Sequence, residues 1–206
     1  MSGVNTAGTK GVPRAASEAQ LLDIAAEDIG RLGYAGLSVG EVAAGAGVSK
    51  PLVYGYFGSK DGLYVACVQR AASVLVQAIE EAISGPANLQ MAERTLEAIF
   101  SALQPRPHDW NVLFDRSHPP SGPVADAVWQ ARAPIIGQAA RGAAAVADAG
   151  GITDPDDLSA LTEAWAGVVT SLVNWWLRHP GESAAAMTSR TRRLMSALHV
   201  TSVTGP

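Results

Sequence analysis

Residues 38–66 read SVGEVAAGAGVSKPLVYGYFGSKDGLYVA, and this stretch predicts two short helices joined by a tight turn. Ser38 and Glu41 have the spacing of a capping box at the start of the first helix. Ser49 is placed to cap the second helix, and Gly47 lies in the turn between them, where a positive φ is expected. Two short helices joined by a glycine-containing turn are the plan of a helix-turn-helix unit.

The apolar residues of this stretch have the spacing that such a unit needs for its small core. Val42 is placed to fill the angle between the two helices, and Ala43 is small where the helices must cross. Val48, Val53 and Tyr56 are spaced to close the core from the second helix. An ordinary helical hairpin in a chain rich in Ala and Gly has the same pattern, so the spacing alone leaves both interpretations open.

Composition limits what the rest of the chain can be. It has 206 residues and a net charge of −4, with 48% apolar and 17% charged residues, which excludes wholesale disorder. The lone Cys67 permits no internal disulfide and no thiolate zinc site. The sequence has no run of 18 apolar residues and no secretory leader, so we expect a cytoplasmic protein without a membrane partner. Residues 1–70 carry six basic and six acidic side chains, so only a local basic face is expected to suit nucleic acid.

Helical periodicity and its breaks predict an all-α fold. Flexible tails are expected at residues 1–16 and 201–206. Gly33 is expected to end the first helix, and Pro134 to kink or split the seventh. The predicted helices cover residues 17–33, 38–45, 49–57, 60–84, 88–104, 108–117, 122–149, 154–178 and 182–199.

Residues 17–66 resemble the DNA-binding segment of the tetracycline-repressor (TetR) family. The matching features are the run AGVSK at residues 46–50, the cluster Tyr54-x-Tyr56-Phe57, and Ser59-Lys60-Asp61-x-Leu63. The likeness continues more weakly to about residue 199, as the number and order of the helices, and includes Trp175-Trp176 followed by Pro180.

The resemblance implies a three-helix helix-turn-helix DNA-binding domain at residues 17–62. A helical ligand-binding and dimerisation domain follows at residues 63–200. It also implies a ligand-responsive, sequence-specific transcriptional regulator, most often a repressor that a small molecule releases from its operator.

The same resemblance assigns the DNA contacts. In helix-turn-helix proteins the N-terminal residues of the second helix meet base edges in the major groove, while flanking groups contact phosphates. The residues expected to read bases are Ser49, Lys50, Pro51 and Leu52. Those expected at phosphates are Ser38, Tyr54, Tyr56 and Lys60.

Gly55 departs from the family, which often has His or another polar residue between the two tyrosines. The glycine removes a phosphate contact and weakens a short helix by about 1 kcal/mol relative to Ala. We hypothesise that Lys10 and Arg14 in the N-terminal tail compensate through minor-groove or phosphate contacts, so that deleting residues 1–15 would weaken operator binding.

Residues 158–178 are apolar around much of the helix circumference, which indicates burial against more than one neighbour. A homodimer on a palindromic operator explains this, with the two recognition helices about 34–36 Å apart or a multiple of that distance. One monomeric core is the alternative. The residues predicted at a dimer interface are Val168, Leu172, Trp175, Trp176, Leu194 and Leu198.

A ligand pocket is predicted in the C-terminal domain, for an apolar or aromatic molecule that the sequence does not identify. Core packing is the commoner role for each aromatic candidate. Cys67 is predicted to be a small buried hydrophobe, with redox sensing as the open alternative. The candidate pocket residues are Phe100, Trp110, Phe114, Trp129, Trp165 and Asn174.

No hydrolase, phosphate-binding or metal-binding motif is found, so the sequence predicts no enzyme, no catalytic residue, no metal and no cofactor. The rival interpretation is a helical small-molecule-binding or interaction protein with a weakened DNA reader, because of Gly55 and the neutral N-terminal domain.

Overall fold

The computed structural model describes residues 14–203, and the regular structure in that range is entirely helical, which confirms the all-α fold. Most of the two predicted tails lies outside the described residues; residues 14–16 begin α1 and residues 201–203 end α9. The helices are α1 (Arg14–Gly36), α2 (Val39–Gly45), α3 (Lys50–Phe57), α4 (Lys60–Ile83), α5 (Leu89–Leu103), α6 (His108–Phe114), α7 (Pro123–Ala149), α8 (Pro155–Leu177) and α9 (Ala184–Val203).

Gly33 interrupts α1 where the sequence predicted a stop. Its φ of 68° and ψ of −177° lie in a region that is open almost only to glycine. A Cβ at this position would also lie 2.9 Å from the Asp115 carboxylate and would collide with the Ser117 hydroxyl. The end of α1 is therefore shaped by the loop that follows α6.

The predicted end of α6 and the predicted break in α7 can be compared with the structure. The prediction that α6 extends to residue 117 is wrong, because Asp115 leaves the helical conformation at φ −56° and ψ 137°. Its carboxylate then accepts the N–H of Ser117 at 2.9 Å, which gives the chain a local alternative to another helical turn. In α7 the helix runs on through Pro134 and is not split there.

The core is built around α4, whose side chains meet those of α1, α5, α6 and α7. Leu63, Tyr64, Cys67 and Leu75 are fully buried along it. Within the described residues α4 is also the one helix long and apolar enough to span a membrane by length and composition. Its place at the centre of the bundle accounts for that composition, since a core helix passes the same test.

Candidate DNA-binding surface and ligand cavity

The helix-turn-helix unit has the core that its sequence predicted. Val42, Ala43 and Val53 are buried between α2, α3 and the rest of the bundle. Gly47 makes the turn with a φ of 66°, and the next N–H, that of Val48, bonds the carbonyl of Ala43 at 2.9 Å. The positive φ explains why the turn requires glycine. The hairpin is thus fixed from inside, and the outer face of α3 is left for contacts.

The first turn of α3 is open to solvent. Ser49, Lys50 and Pro51 are exposed, and Leu52 and Tyr54 keep 43% and 41% of their surface accessible. Lys50 Nζ lies 5.8 Å from the centre of the Tyr54 ring. Ser49 occupies the N-cap position of α3, as predicted, but its hydroxyl makes no cap hydrogen bond. The residues predicted to read bases therefore share one accessible surface at the helix N-terminus.

The residues predicted to contact phosphates differ from one another in exposure and in the contacts they make within the protein. Ser38 caps α2, and its hydroxyl accepts the N–H of Glu41 at 3.4 Å. Tyr56 is half-buried, with its ring 6.0 Å from that of Phe57. Gly55 is exposed, and a Cβ there would meet no atom within 4 Å.

Lys60 ties the start of α4 to the end of α1. Its Nζ donates to the carbonyl of Ala35 at 3.3 Å and lies 4.5 Å above the ring of Tyr34. The Tyr34 hydroxyl donates in turn to Asp61 at 2.6 Å, and this bond raises the pKa of the phenol. Lys60 is therefore held against protein atoms, whereas Lys50 extends from an exposed turn.

A cavity of about 230 Å³ lies between α4, α5, α6, α7 and α8. Three of the predicted pocket residues line it: Trp110 and Phe114 from α6 and Trp165 from α8. The two α6 rings are 4.4 Å apart and form one wall. The rest of the wall is mostly aliphatic, and no charged side chain is part of it.

The other three predicted pocket residues lie elsewhere. Phe100 is fully buried, with its ring at 5.4 Å from Trp176 in an edge-to-face contact. Trp129 is 68% exposed on α7, and Asn174 is half-buried outside the cavity wall. An aromatic side chain can line a cavity, pack in the core or lie on the surface, and the sequence does not distinguish these roles. The six residues were therefore predicted together as pocket candidates.

Helices α8 and α9 each keep apolar side chains accessible. Val168 and Leu194 are 45% and 49% exposed, and Leu172 and Trp175 are half-buried. Trp176, by contrast, belongs to the core of the chain, where its Nε1 donates to the carbonyl of Glu182 at 2.7 Å. The side chain of Leu198 lies outside the described residues.

Asp115 links the cavity wall to the DNA-binding unit, a role that sequence reasoning missed. It follows Phe114 at the end of α6, and its Oδ2 accepts the N–H of Tyr34 at 2.9 Å and the hydroxyl of Tyr64 at 3.0 Å. Burial raises its pKa, but hydrogen bonds from Ser117, Tyr34 and Tyr64 outweigh burial and lower it overall. The partners are 51 and 81 residues away in sequence, so no local pattern announces the cluster.

Two further bonds hold α6 in place beside this cluster. The amide of Asn111 donates to the carbonyl of Gly30 in α1 at 3.1 Å. Arg132 of α7 donates to the carbonyls of Leu113 and Asp115, the second at 2.8 Å. Helix α6 is thus bonded to α1 on one side and to α7 on the other.

Cys67 is fully buried in α4, with its Sγ 3.8 Å from the carbonyl of Leu22. Burial raises the pKa of the thiol to about 12. The thiolate, which is the reactive form, is then almost unpopulated at neutral pH. Elsewhere in the described range, His, Cys, Asp and Glu form no group of three or more that could hold a metal ion.

An exposed second helix in a helix-turn-helix unit, followed by a helical domain that encloses a cavity, is the arrangement found in helical DNA-binding regulators. The profile of the family described as "Bacterial regulatory proteins, tetR family" matches residues 21–67. Over residues 21–67 the chain therefore resembles the TetR family of transcriptional regulators.

Known proteins resemble the chain beyond that segment. The HTH-type transcriptional activator FasR of Mycolicibacterium smegmatis is 32% identical over 118 residues, which cover 57% of this chain and 53% of FasR. The match therefore spans about half the length of this relative. This relative is a regulator of transcription and not an enzyme.

Solved structures share the fold over most of the chain. A TetR-like regulator from Rhodococcus sp. RHA1 has a TM-score of 0.70 at 24% identity and covers 95% of this chain and 100% of its own. FadR from Bacillus subtilis, solved in complex with stearoyl-CoA, has a TM-score of 0.66 at 18% identity and covers 85% of this chain and 96% of its own.

Proposed function

We propose that the protein is a ligand-responsive repressor that binds a palindromic operator as a homodimer and leaves it when a small apolar molecule fills the cavity. The observation that carries the proposal is that α6 lines the cavity with Trp110 and Phe114 and bonds the DNA-binding unit through Asp115. One short helix therefore touches both the ligand space and the reading domain.

Operator recognition belongs to the exposed turn of α3. Lys50 reaches guanine O6 and N7 or a phosphate, and Pro51 and Leu52 offer apolar contact to thymine methyl groups. Ser49 has a hydroxyl that is not used as a helix cap. Tyr54, exposed one turn further along, is placed for a phosphate oxygen.

Ser38, Tyr56 and Lys60 take lesser parts in this proposal. Ser38 and Tyr56 contact phosphates at the edges of the same surface. Lys60 contributes mainly by fixing α4 to α1 through the Ala35 carbonyl, since its Nζ already has an acceptor. The N-terminal dipole of α4 remains available to a phosphate.

Dimerisation is assigned to the accessible apolar face of α8 and α9. Val168, Leu172, Trp175 and Leu194 leave apolar surface exposed there, and burial of such a surface favours association. A two-fold interface at this end sets the distance between the two copies of α3. Leu198, one turn beyond Leu194, continues the same stripe in the sequence.

Ligand entry acts through α6. A molecule between α5, α7 and α8 presses on the Trp110 and Phe114 rings and shifts the population toward a displaced α6. Because Asp115 accepts from Tyr34 in α1 and Tyr64 in α4, the displacement changes the pose of the DNA-binding unit. The half-site spacing then no longer fits the operator, and affinity falls.

Fluorescence anisotropy tests operator binding, using the DNA just upstream of the protein's own gene, competitor DNA and two salt concentrations. We expect tight, competitor-resistant binding by a dimer, which Lys50→Ala weakens and the matched change Arg193→Ala on α9 leaves intact. Binding that competitor DNA or moderate salt erases favours the rival function, a helical small-molecule-binding protein with a weakened reader. The observation that favours this alternative function is Gly55, a glycine on the exposed side of the proposed recognition helix.

Gel filtration with light scattering tests the dimer face. Val168→Glu or Leu194→Glu should give a monomer and abolish operator binding, because a charge replaces exposed apolar surface at the interface. Trp129→Glu, at a more exposed apolar position on α7, is the control and should remain dimeric. A monomeric wild-type protein contradicts the proposal.

A further inference from the structure

Among the described residues that line the cavity, one buried polar group has incomplete bonding. Gln138 of α7 lies in the cavity wall and is 1% exposed. Its Nε2 donates to the carbonyl of Val76 and to Glu80 Oε2 of α4, both at 2.8 Å. Its Oε1 is buried and has no hydrogen-bond partner among the described residues.

The orientation of this amide is fixed by its neighbours. Turning it over would bring Oε1 against the Val76 carbonyl and the Glu80 carboxylate, which only accept hydrogen bonds. The two N–H groups therefore stay on the α4 side, and the oxygen points away from the atoms that bind the nitrogen. An acceptor left buried without a donor is costly, and a donor from a ligand would remove that cost.

The rest of the wall limits which ligand can supply the donor. Thr95 already donates its hydroxyl to the Met91 carbonyl at 2.8 Å, and Thr170 on α8 is the other hydroxyl-bearing side chain of the wall. No Lys, Arg or His lines the cavity. A carboxylate buried here would have no positive partner, and an unpaired buried charge is strongly disfavoured.

The volume sets the size. A dry cavity of about 150 Å³ holds benzene, with six non-hydrogen atoms. By the same ratio the cavity of about 230 Å³ takes roughly nine such atoms.

We propose that the cavity binds a neutral apolar molecule of about nine non-hydrogen atoms that carries one hydroxyl or N–H group, which donates to Gln138 Oε1. This rests on the proposed function only in taking the cavity as the effector site. It adds the chemical class of the effector, an uncharged hydrogen-bond donor rather than an anion or a plain hydrocarbon.

Three probes of nine or ten non-hydrogen atoms test the class on the full-length protein. They are 1-octanol, its isomer 1-methoxyheptane, which accepts but does not donate, and octanoate, which is ionised at neutral pH. Quenching or shift of tryptophan emission reports binding, since Trp110 and Trp165 line the cavity. We expect 1-octanol to bind about tenfold more tightly than the ether, and octanoate to bind more weakly than either.

Two variants assign the preference to one atom. Gln138→Met, of similar volume, should reduce the octanol-to-ether ratio to near one. Thr170→Val, the matched change at another polar wall position, should leave the ratio unchanged. Equal binding of the two isomers by the unaltered protein overturns the proposal, and so does tighter binding of octanoate. A ratio that is unchanged in Gln138→Met also overturns it.

Operator binding measured on the same samples separates this inference from the proposed function. An octanol preference that depends on Gln138, without any loss of operator affinity, supports the ligand class and contradicts release from DNA. If the protein binds the operator tightly but binds none of the three probes, the proposed ligand class is overturned and the proposed regulatory function is not.

Discussion

Asp115 joins parts of the chain that have no sequence relation to one another. Its carboxylate accepts hydrogen bonds from the main chain of α1, a phenol of α4 and the loop that follows α6. The neighbouring Gly33 has no Cβ because the Asp115–Ser117 turn occupies that space. The residue thus matters through geometry that folding creates, and neither its type nor its spacing could predict this from the sequence.

Asp115→Asn should lower the free energy of unfolding by about 1–3 kcal/mol, because one acceptor oxygen becomes a donor that faces donors. The exposed Asp148→Asn on α7 is the matched control and should change stability little. Urea denaturation at pH 7 measures both. A variant as stable as the wild type would show that the three donors find other partners.

The same variant has a predicted pH dependence. The folded protein lowers the pKa of Asp115, so protonation favours the unfolded chain, and the stabilisation is present above the ordinary value of 3.8 and lost as the pH falls below it. The difference in unfolding free energy between wild type and Asp115→Asn should therefore shrink from pH 7 toward pH 3. A constant difference over that range contradicts the shift.

Cys67 should be chemically silent in the native protein, because burial raises the pKa of its thiol to about 12. We expect no reaction with a thiol-specific disulfide reagent at pH 7.5 until denaturant unfolds the protein, and then one reactive thiol per chain. Rapid labelling of the folded protein, with accompanying loss of operator binding, would restore the redox hypothesis.

At the scale of the element, helix α3 carries the proposed DNA-contacting residues but has a low helix propensity, because Gly55 lies within its eight residues. Gly55 lies on its exposed side with open space around it, so Gly55→Ala should stabilise the protein by up to about 1 kcal/mol. That corresponds to a rise in Tm of about 2–4 °C. Thermal denaturation followed by circular dichroism measures it.

Gly47→Ala is the contrasting change in the preceding turn. It also has open space, but its φ of 66° penalises any Cβ, so we expect a loss of about 1–2 kcal/mol. If the two substitutions shift Tm in the same direction, backbone conformation does not govern this hairpin. The pair isolates helix propensity from turn geometry with one added methyl group in each case.

The predictable features of these elements are the local ones. The two short helices, the positive φ of Gly47 and the buried Val42, Ala43 and Val53 were all predicted from spacing, since each depends on residues a few positions apart. The end of α6 was predicted wrongly because Asp115 uses its carboxylate to turn the chain. Ser49 lies at the predicted N-cap of α3, but its position in the sequence did not reveal that its hydroxyl makes no cap hydrogen bond.

At the scale of the whole molecule, the cavity was predicted only as a general expectation. Its walls come from five helices, so the aromatic residues that line it could not be told from those in the core. Trp176 illustrates this: an apolar helix predicted it at an interface, and the structure buries it against Phe100. Gln138 carried no signal, because its unmet acceptor exists only once α7 lies against α4.

The salt dependence of operator binding should show how many basic side chains of the DNA-binding surface contact phosphates. Each neutralised phosphate contributes about 0.9 to the slope of log K against log salt. Lys50→Ala should therefore flatten the slope by about two for a dimer, and Lys60→Ala by less, since its Nζ is bonded to Ala35. Equal effects of the two substitutions would mean that Lys60 leaves that carbonyl on binding.

The hydrogen bond from Lys60 to the Ala35 carbonyl also affects how the protein would search for its operator on a chromosome. Residues 17–62 hold three basic and six acidic side chains, and Lys60 is bonded to a carbonyl. Sliding along arbitrary duplex depends on phosphate attraction, so we expect only brief visits to non-cognate DNA. For the operator binding proposed above, we then expect arrival by three-dimensional diffusion, with few copies sequestered along the genome. Occupancy would follow the free concentration of dimer closely, which makes gene expression sensitive to small changes in protein abundance.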